Sequence, residues 1–295
     1  MGCVMLRYTG PVARDECPAN SDNSDGYLAA SFGYLTPQHN FLTPVDIVRP
    51  DPALRPANSL VRKLEAFVRL RSDEIDALVA LSRFPKLVRS EQVLVHEGAA
   101  IDHVCLIVEG LACRYKLLAG GRRQIMGYLI PGEMCDVQFL VCNTADYSVA
   151  AIGDAQVVRI PGHKVADLIL RYPNIARALS MSALVDSAIL REWLLNIGQR
   201  DAVQKLSHFF CEMKVRMDAV GRVHNDESFE LPVNQAALAD TIGLTPVHIN
   251  RTLQRLRTAG LIRLCHRRLT ILDQKRLAAI AGFDEHYLRP SRQAA

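Results

Sequence analysis

Along this chain the spacing of apolar residues changes three times, and each change marks a different kind of element. From Ser59, Leu60, Leu64, Phe67 and Val68 recur at helical spacing, and SDEIDALVAL restarts a helix with Ser72 as its cap. Between Leu87 and Pro161 the period falls to two. QVLVH, HVCLIVEG, LACRYKLL, RQIMGYL, SVAAIG and AQVVRIP read as short strands. Turn signals separate them at His96–Gly98, Gly110, Gly120–Gly121, Pro131–Gly132 and Gly153–Asp154. So many short strands with tight turns predict a small antiparallel barrel or sandwich, a shape that encloses a pocket as readily as a packed core.

After Pro161 the helical period returns. GHKVADLILRY forms a short helix ended by Pro173, and Asn174 to Arg200 then runs on with a single glycine, Gly198, near its end. Its apolar residues occupy more than one face, so the helix must be covered on two sides. The chain's own barrel can cover one side; the other is covered most economically by a second copy of the helix. Met181, Val185, Ile189 and Trp193 are the residues expected at that homodimer seam. A further helix covers Ala202 to Met217. LIRL and LTIL then flank CHRR as a hairpin, and Asp273 caps a last helix, QKRLAAIAG.

The densest signal is NQAALADTIGLTPVHINRTLQRLRTAGLI, from Asn234 to Ile262. Asn234 is a good N-cap, and Gly243 stands where a helix end favours positive φ. Thr245 caps the next helix, with Pro246 at its first position. Ile249, Leu253 and Leu256 form its apolar seam. Val247, Arg251 and Gln254 lie opposite, flanked by His248, Asn250 and Arg255. Two short helices joined in this way are the geometry of a helix-turn-helix reader.

Charge supports that assignment. The whole chain is nearly balanced, with 35 Lys+Arg against 31 Asp+Glu, yet residues 245–276 carry eight basic residues and one acidic, Asp273. A local basic stripe is what phosphate contact requires. A non-DNA module that senses a ligand and acts through a protein partner is the competing class. Partner surfaces favour aromatic and apolar anchors, whereas this helix face carries Arg, Asn, Gln and His. No nucleophile elbow, P-loop, metalloprotease helix or dinucleotide fingerprint points to an enzyme.

No apolar run reaches the length of a membrane span, and MGCVMLRYTG has neither an apolar core nor a cleavage site, so a cytoplasmic protein is expected. The eight cysteines are scattered without a C-x-x-C pair and read as free thiols rather than a metal or redox cluster. Cys113 alternates with Arg114 and Lys116 and is expected to point inward. Residues 1–57, polar at 21–26 and rich in proline, read as a poorly ordered extension. The expected division is then 58–172 for the barrel with its flanking helices, 173–200 for the dimerisation helix, 201–282 for the DNA-binding domain and 283–295 for a tail.

Over roughly residues 60–282 the order of elements resembles the cyclic-AMP receptor protein and fumarate-nitrate regulator (Crp/Fnr) superfamily of bacterial transcription regulators. The specific matches are the helix-turn-helix run, VLVHEGAAIDHVCLIVEG, and YLIPGE. The resemblance implies an α+β fold: a cyclic-nucleotide-binding-like antiparallel β-barrel of jelly-roll type, a long dimerisation helix and a C-terminal winged helix-turn-helix. It implies a homodimer on double-stranded DNA with palindromic half-sites, and makes RNA polymerase a further candidate partner. By position, Gln235 would meet a phosphate, and Thr245, Val247, His248, Asn250 and Arg251 would lie at the major groove, with Arg255 beside them. Arg267 and Arg268 would serve the wing. Arg251 falls on the family's base-reading arginine, whereas Pro246 and Val247 depart from the Arg-Glu and Val-Glu pairs of its two name-giving members.

The barrel departs further. Cyclic-nucleotide binders carry a Gly-Glu pair for the ribose and an Arg-Ser/Thr pair for the phosphate. Here the Gly-Glu is missing, Tyr147 precedes Ser148 where the Arg belongs, and Asp136 lies near that segment. The N-terminal cysteine cluster of the iron–sulfur branch is missing too. A haem would have to be held through His96 or His103, and such histidines are more often solvated. No cofactor is therefore expected. The protein is either constitutively competent or answers a signal the sequence does not name.

Overall fold

The computed structural model describes residues 58–135 and 144–289. Asp136 and the expected extension 1–57 lie outside these residues.

Two helices open the described chain. α1 (Ser59–Glu65) is capped by the Asn58 side chain, which accepts from the amides of Leu60 and Val61. α2 (Ser72–Leu81) begins one residue earlier than a Ser72 cap would place it. The cap position is Arg71, whose amide donates to the Glu74 carboxylate at 2.8 Å.

Six strands follow: β1 (Lys86–Val88), β2 (Val93–Val95), β3 (His103–Leu117), β4 (Arg123–Leu129), β5 (Met134–Cys135) and β6 (Ser148–Pro161). They form one antiparallel sheet in the order β1-β6-β3-β4, with β2 also on β6 and β5 also on β3. The expected barrel or sandwich is thus this antiparallel sheet, whose ladder among the described residues is not closed into a ring. Two of the expected turns are also absent as turns. Gly110 (φ 78°) and Gly153 (φ 74°) are kinks inside the continuous strands β3 and β6, which pair along most of their length. A Cβ at Gly110 would stand 2.6 Å from the Asp154 carbonyl oxygen, so the two strands cross at a contact that only glycine permits.

Next come α3 (Gly162–Arg171), α4 (Pro173–Gln199) and α5 (Ala202–Ala219), the last opened by a capping box between Asp201 and Gln204. β7 (Ser228–Glu230), α6 (Gln235–Ile242), α7 (Pro246–Thr258), β8 (Ile262–Cys265), β9 (Arg268–Ile271) and α8 (Gln274–Ala281) complete a winged helix-turn-helix. Its wing is a three-stranded sheet, β7-β9-β8, one strand more than the hairpin the sequence indicates. A 3-10 turn, Glu285–Leu288, ends the described chain.

Both faces of β3 are buried, which upsets the simple reading of its alternation. Ala112 and Cys105 belong to a core between the folded halves of the sheet. Leu111, Cys113 and Tyr115 belong to a different core, shared with α4, α5 and the winged helix. Arg114, which alternates with the inward Cys113, is also largely covered, and its guanidinium donates to Asp186 of α4 at 3.2 Å. Burial pushes the Cys113 and Cys211 thiols up to about 12, so neither is a thiolate at neutral pH.

A buried ionic chain ties the six-stranded sheet to α5 and the C-terminal winged helix. Lys63 Nζ donates to Glu133 at 2.6 Å, and Arg216 Nη2 donates to the same carboxylate at 2.9 Å and to the Tyr128 carbonyl at 2.7 Å. Arg216 Nη1 donates to Glu212 at 3.1 Å; Glu212 also accepts from the Trp193 indole and, at 3.0 Å, from the Tyr287 hydroxyl. Five segments of the chain thus share one network. Part of the expected tail belongs to it, since Tyr287 also stacks on the buried His208.

Candidate nucleic-acid interface

Local chemistry shapes the reading helix before any packing does. Asn234 accepts from the Ala237 amide at 2.8 Å, which starts α6. Gly243 ends it in the left-handed region, φ 70° and ψ 35°, where its amide bonds the Ala239 carbonyl. Two residues later Thr245 accepts from the His248 amide, and Pro246 fixes the first turn of α7.

Packing then sorts the faces of α7. Ile249, Leu253 and Leu256 are buried together with Thr252, whose hydroxyl donates to the His248 carbonyl at 2.9 Å. Val247, His248, Asn250, Arg251, Gln254 and Arg255 are all exposed, as are Gln235 at the start of α6 and Thr245 at the cap. The imidazole of His248 lies 3.2 Å from the Thr245 hydroxyl. Arg257 is turned away, with its guanidinium on the Leu264 carbonyl. α7 holds no acidic residue, so its outer surface offers donors and amides, with Val247 and Pro246 as apolar side chains in the first turn.

The two wing arginines differ. Arg267 is exposed at the tip, where His266 and Arg267 take φ values of 50° and 61° in a two-residue turn. That tip borders a cleft of about 130 Å³ with Glu91, Gly153 and Asn234, so the wing leans toward the sensor sheet. Arg268 is half-buried. Its Nη2 lies 2.8 Å from His224 Nε2, and its Nη1 reaches the Ser228 hydroxyl at 3.5 Å. Arg268 is therefore held within the wing rather than free for phosphate, because β9 is the central strand and its neighbours supply those partners.

The dimer residues need a larger correction. Val185, Ile189 and Trp193 are 7, 6 and 6% exposed in the single chain, packed on its own α5, β4 and winged helix. Met181 is partly buried. The apolar residues that face outward are instead Leu184 (68%), Leu190 (50%), Leu194 (75%), Leu195 and Ile197. Ala183, Ser187, Leu190, Leu194 and Ile197 follow a 4-3-4-3 spacing and are exposed throughout, the spacing of a coiled-coil seam. Helical periodicity showed two apolar faces; only packing shows which one the chain covers itself.

Sequence reading also missed what holds α6 in place. Arg123 of β4 donates to Asp240 at 2.8 Å and to Glu91 at 3.0 Å, and Gln124 donates to the Thr241 carbonyl at 3.2 Å. The buried hydroxyls of Tyr128 and Thr241 are 2.7 Å apart. The partners on α6 are more than a hundred residues from those on β4, and no local pattern pairs them.

Within the sensor half, Ser148 accepts from the Glu97 amide at 3.0 Å, and Arg114 lies over the Tyr147 ring at 5.7 Å. His96 is exposed, and His103 pairs with Asp102. Among the described residues no group of three or more His, Cys, Asp or Glu could hold a metal ion. No helix among them is long and apolar enough to cross a membrane.

Comparison with known proteins places both halves. Residues 204–280 match the Crp-like helix-turn-helix domain, and residues 85–172 match the cyclic nucleotide-binding domain. The nitrogen fixation regulation protein FixK of Bradyrhizobium diazoefficiens is 28% identical over 176 residues, covering 60% of this chain and 73% of FixK. The transcriptional activator protein FnrL of Cereibacter sphaeroides is 26% identical over 228 residues, covering 76% of this chain and 90% of FnrL. The solved structure of FixK2 from Bradyrhizobium japonicum superposes with a TM-score of 0.60 at 22% identity, over 68% of this chain and 98% of that one. At that identity the likeness is one of fold.

Proposed function

The chain belongs to the Crp/Fnr superfamily of bacterial DNA-binding transcription regulators, and from that premise we propose that it acts in the cytoplasm as a homodimer which reads a palindromic operator through α7. The observation that carries the reading is the outer surface of α7, where hydrogen-bonding and cationic side chains stand exposed around a fully buried apolar seam. Gln235, Thr245, Val247, His248, Asn250, Arg251 and Arg255 supply the DNA contacts, with Arg267 at the wing tip. The exposed seam from Ala183 to Ile197 joins two copies. Its heptad spacing and apolar C-terminal half suit a two-stranded coiled coil, which sets the two α7 helices for successive half-sites.

The effector reading follows from charge. Arg114 of β3, largely covered, is already paired with Asp186. A cyclic nucleotide would have to displace that carboxylate to gain a charge-assisted bond, and Tyr147 stands where the phosphate-binding Arg would be expected. The protein is accordingly not responsive to cyclic AMP. Relatives such as FnrL are named activators, which supports RNA polymerase as the partner at the promoter.

Mapping of chromosomal DNA bound by the wild-type chain, beside Arg251→Ala, tests the function. A shared palindromic motif that disappears with the substitution is expected. No motif, or one indifferent to Arg251, would overturn the reading.

A further inference from the structure

We infer that Val247 reads the 5-methyl group of a thymine in each half-site, one or two base-pair steps from the guanine bonded by Arg251. This rests on the DNA-reading role of α7 proposed above. Val247 is the anomaly of that helix: its side chain is 62% exposed, while the apolar seam of the same helix is filled by Ile249, Leu253 and Leu256. An isopropyl group held in water loses the gain that burial would bring, and its nearest outward neighbours one turn on, Asn250 and Arg251, are polar.

Base edges in the major groove present one apolar feature, the thymine methyl, and apolar side chains are the groups that contact it. Valine can neither donate to guanine O6 and N7 nor accept from cytosine N4. Nor does any other residue of α7 carry a carboxylate for cytosine. Pro246 sets the backbone of the first turn, and the His248 ring lies 3.2 Å from the Thr245 hydroxyl, so Val247 stands exposed beside a histidine engaged with the cap. Val247 and Arg251 are four residues apart, about 6 Å along the helix axis, against about 3.4 Å between stacked base pairs. One helix turn therefore spans the thymine and the guanine.

The test begins with the full-length chain and a randomised duplex pool, which yields the preferred operator. Each thymine of one half-site is then replaced in turn by deoxyuridine, which removes a single methyl, and affinity is measured by fluorescence anisotropy at fixed salt. At one thymine, wild type should lose about fourfold, the worth of one buried methyl-sized group. Val247→Ala, a change at an exposed side chain, should be weaker on the thymine operator and indifferent to uracil at that step. Val247→Glu should move the selected base there toward cytosine. If every uracil operator binds within 1.5-fold of its parent, or if Val247→Ala feels the substitution as wild type does, methyl reading is overturned while DNA binding stands. A pool that enriches no sequence would overturn both.

Discussion

Arg216 is where the two halves of the chain meet, and its removal has a cost that can be worked from the geometry. The side chain is 7% exposed and bridges two buried carboxylates, Glu133 and Glu212, while also capping the Tyr128 carbonyl. Arg216→Met keeps most of the apolar stem and deletes the charge. Glu133 would keep Lys63 and the Ile130 amide, and Glu212 would keep the Trp193 and Tyr287 donors. Breaking one side of a buried ion pair costs about 3–5 kcal/mol, a large share of the roughly 5–15 kcal/mol that holds a domain folded.

Titration of Glu133 gives a second measure. Burial pushes its carboxyl up, but Arg216 and Lys63 together outweigh burial and hold it at about 2, from an ordinary 4.5. At about 1.4 kcal/mol per pH unit, this amounts to about 3 kcal/mol. A depressed carboxylate stabilises the fold above its unfolded value, and the contribution is lost as pH falls through about 2. The gap between variant and wild type should therefore stay level above about pH 5 and narrow as pH falls from 4.5 toward 2. Urea denaturation followed by the fluorescence of Trp193, the one tryptophan of the chain, measures the gap at fixed protein concentration. A variant within about 1 kcal/mol of wild type at pH 7, well below the cost of an unpaired buried charge, would refute the reasoning. So would a gap that does not change with pH.

Replacing both Leu190 and Leu194 by Glu should give folded monomers in sedimentation, whereas Val185→Glu, which buries a charge in the chain's own core, should lower the melting temperature of the protein. Operator affinity should fall steeply with salt, by a log–log slope of roughly −0.9 for each phosphate neutralised. Arg251→Ala should cost about 1–3 kcal/mol and relax choice at one base, and Arg267→Ala should weaken all sequences alike in the same titrations. Calorimetry with cyclic AMP and cyclic GMP should show no micromolar binding; binding that raised operator affinity tenfold, about 1.4 kcal/mol of coupling, would overturn the effector reading.

The sequence by itself determined what depends on neighbours in the chain. Asn234, Gly243, Thr245 and Pro246 specify two helices and the turn between them through caps and φ preferences that act within four residues. The buried seam of α7 follows from its 3.6-residue period, and its exposed polar face is what that seam leaves outside. Tertiary structure decided everything that needs a distant partner. Periodicity showed that α4 has two apolar faces. Only the packing of α5 and β4 assigns Val185, Ile189 and Trp193 to the chain's own core and leaves Leu190 and Leu194 outside. Alternation along β3 turned Cys113 inward, but a strand buried on both faces has no solvent side for Arg114, and α4 brings Asp186 to it. Gly110 and Gly153 look like turns because positive φ is a local property; whether a glycine ends a strand or kinks it depends on the strand that crosses it. The junction of Lys63, Glu133, Arg216, Glu212 and Tyr287 could not be read from the chain at all, since charges are paired in space by elements that meet only after the fold is complete.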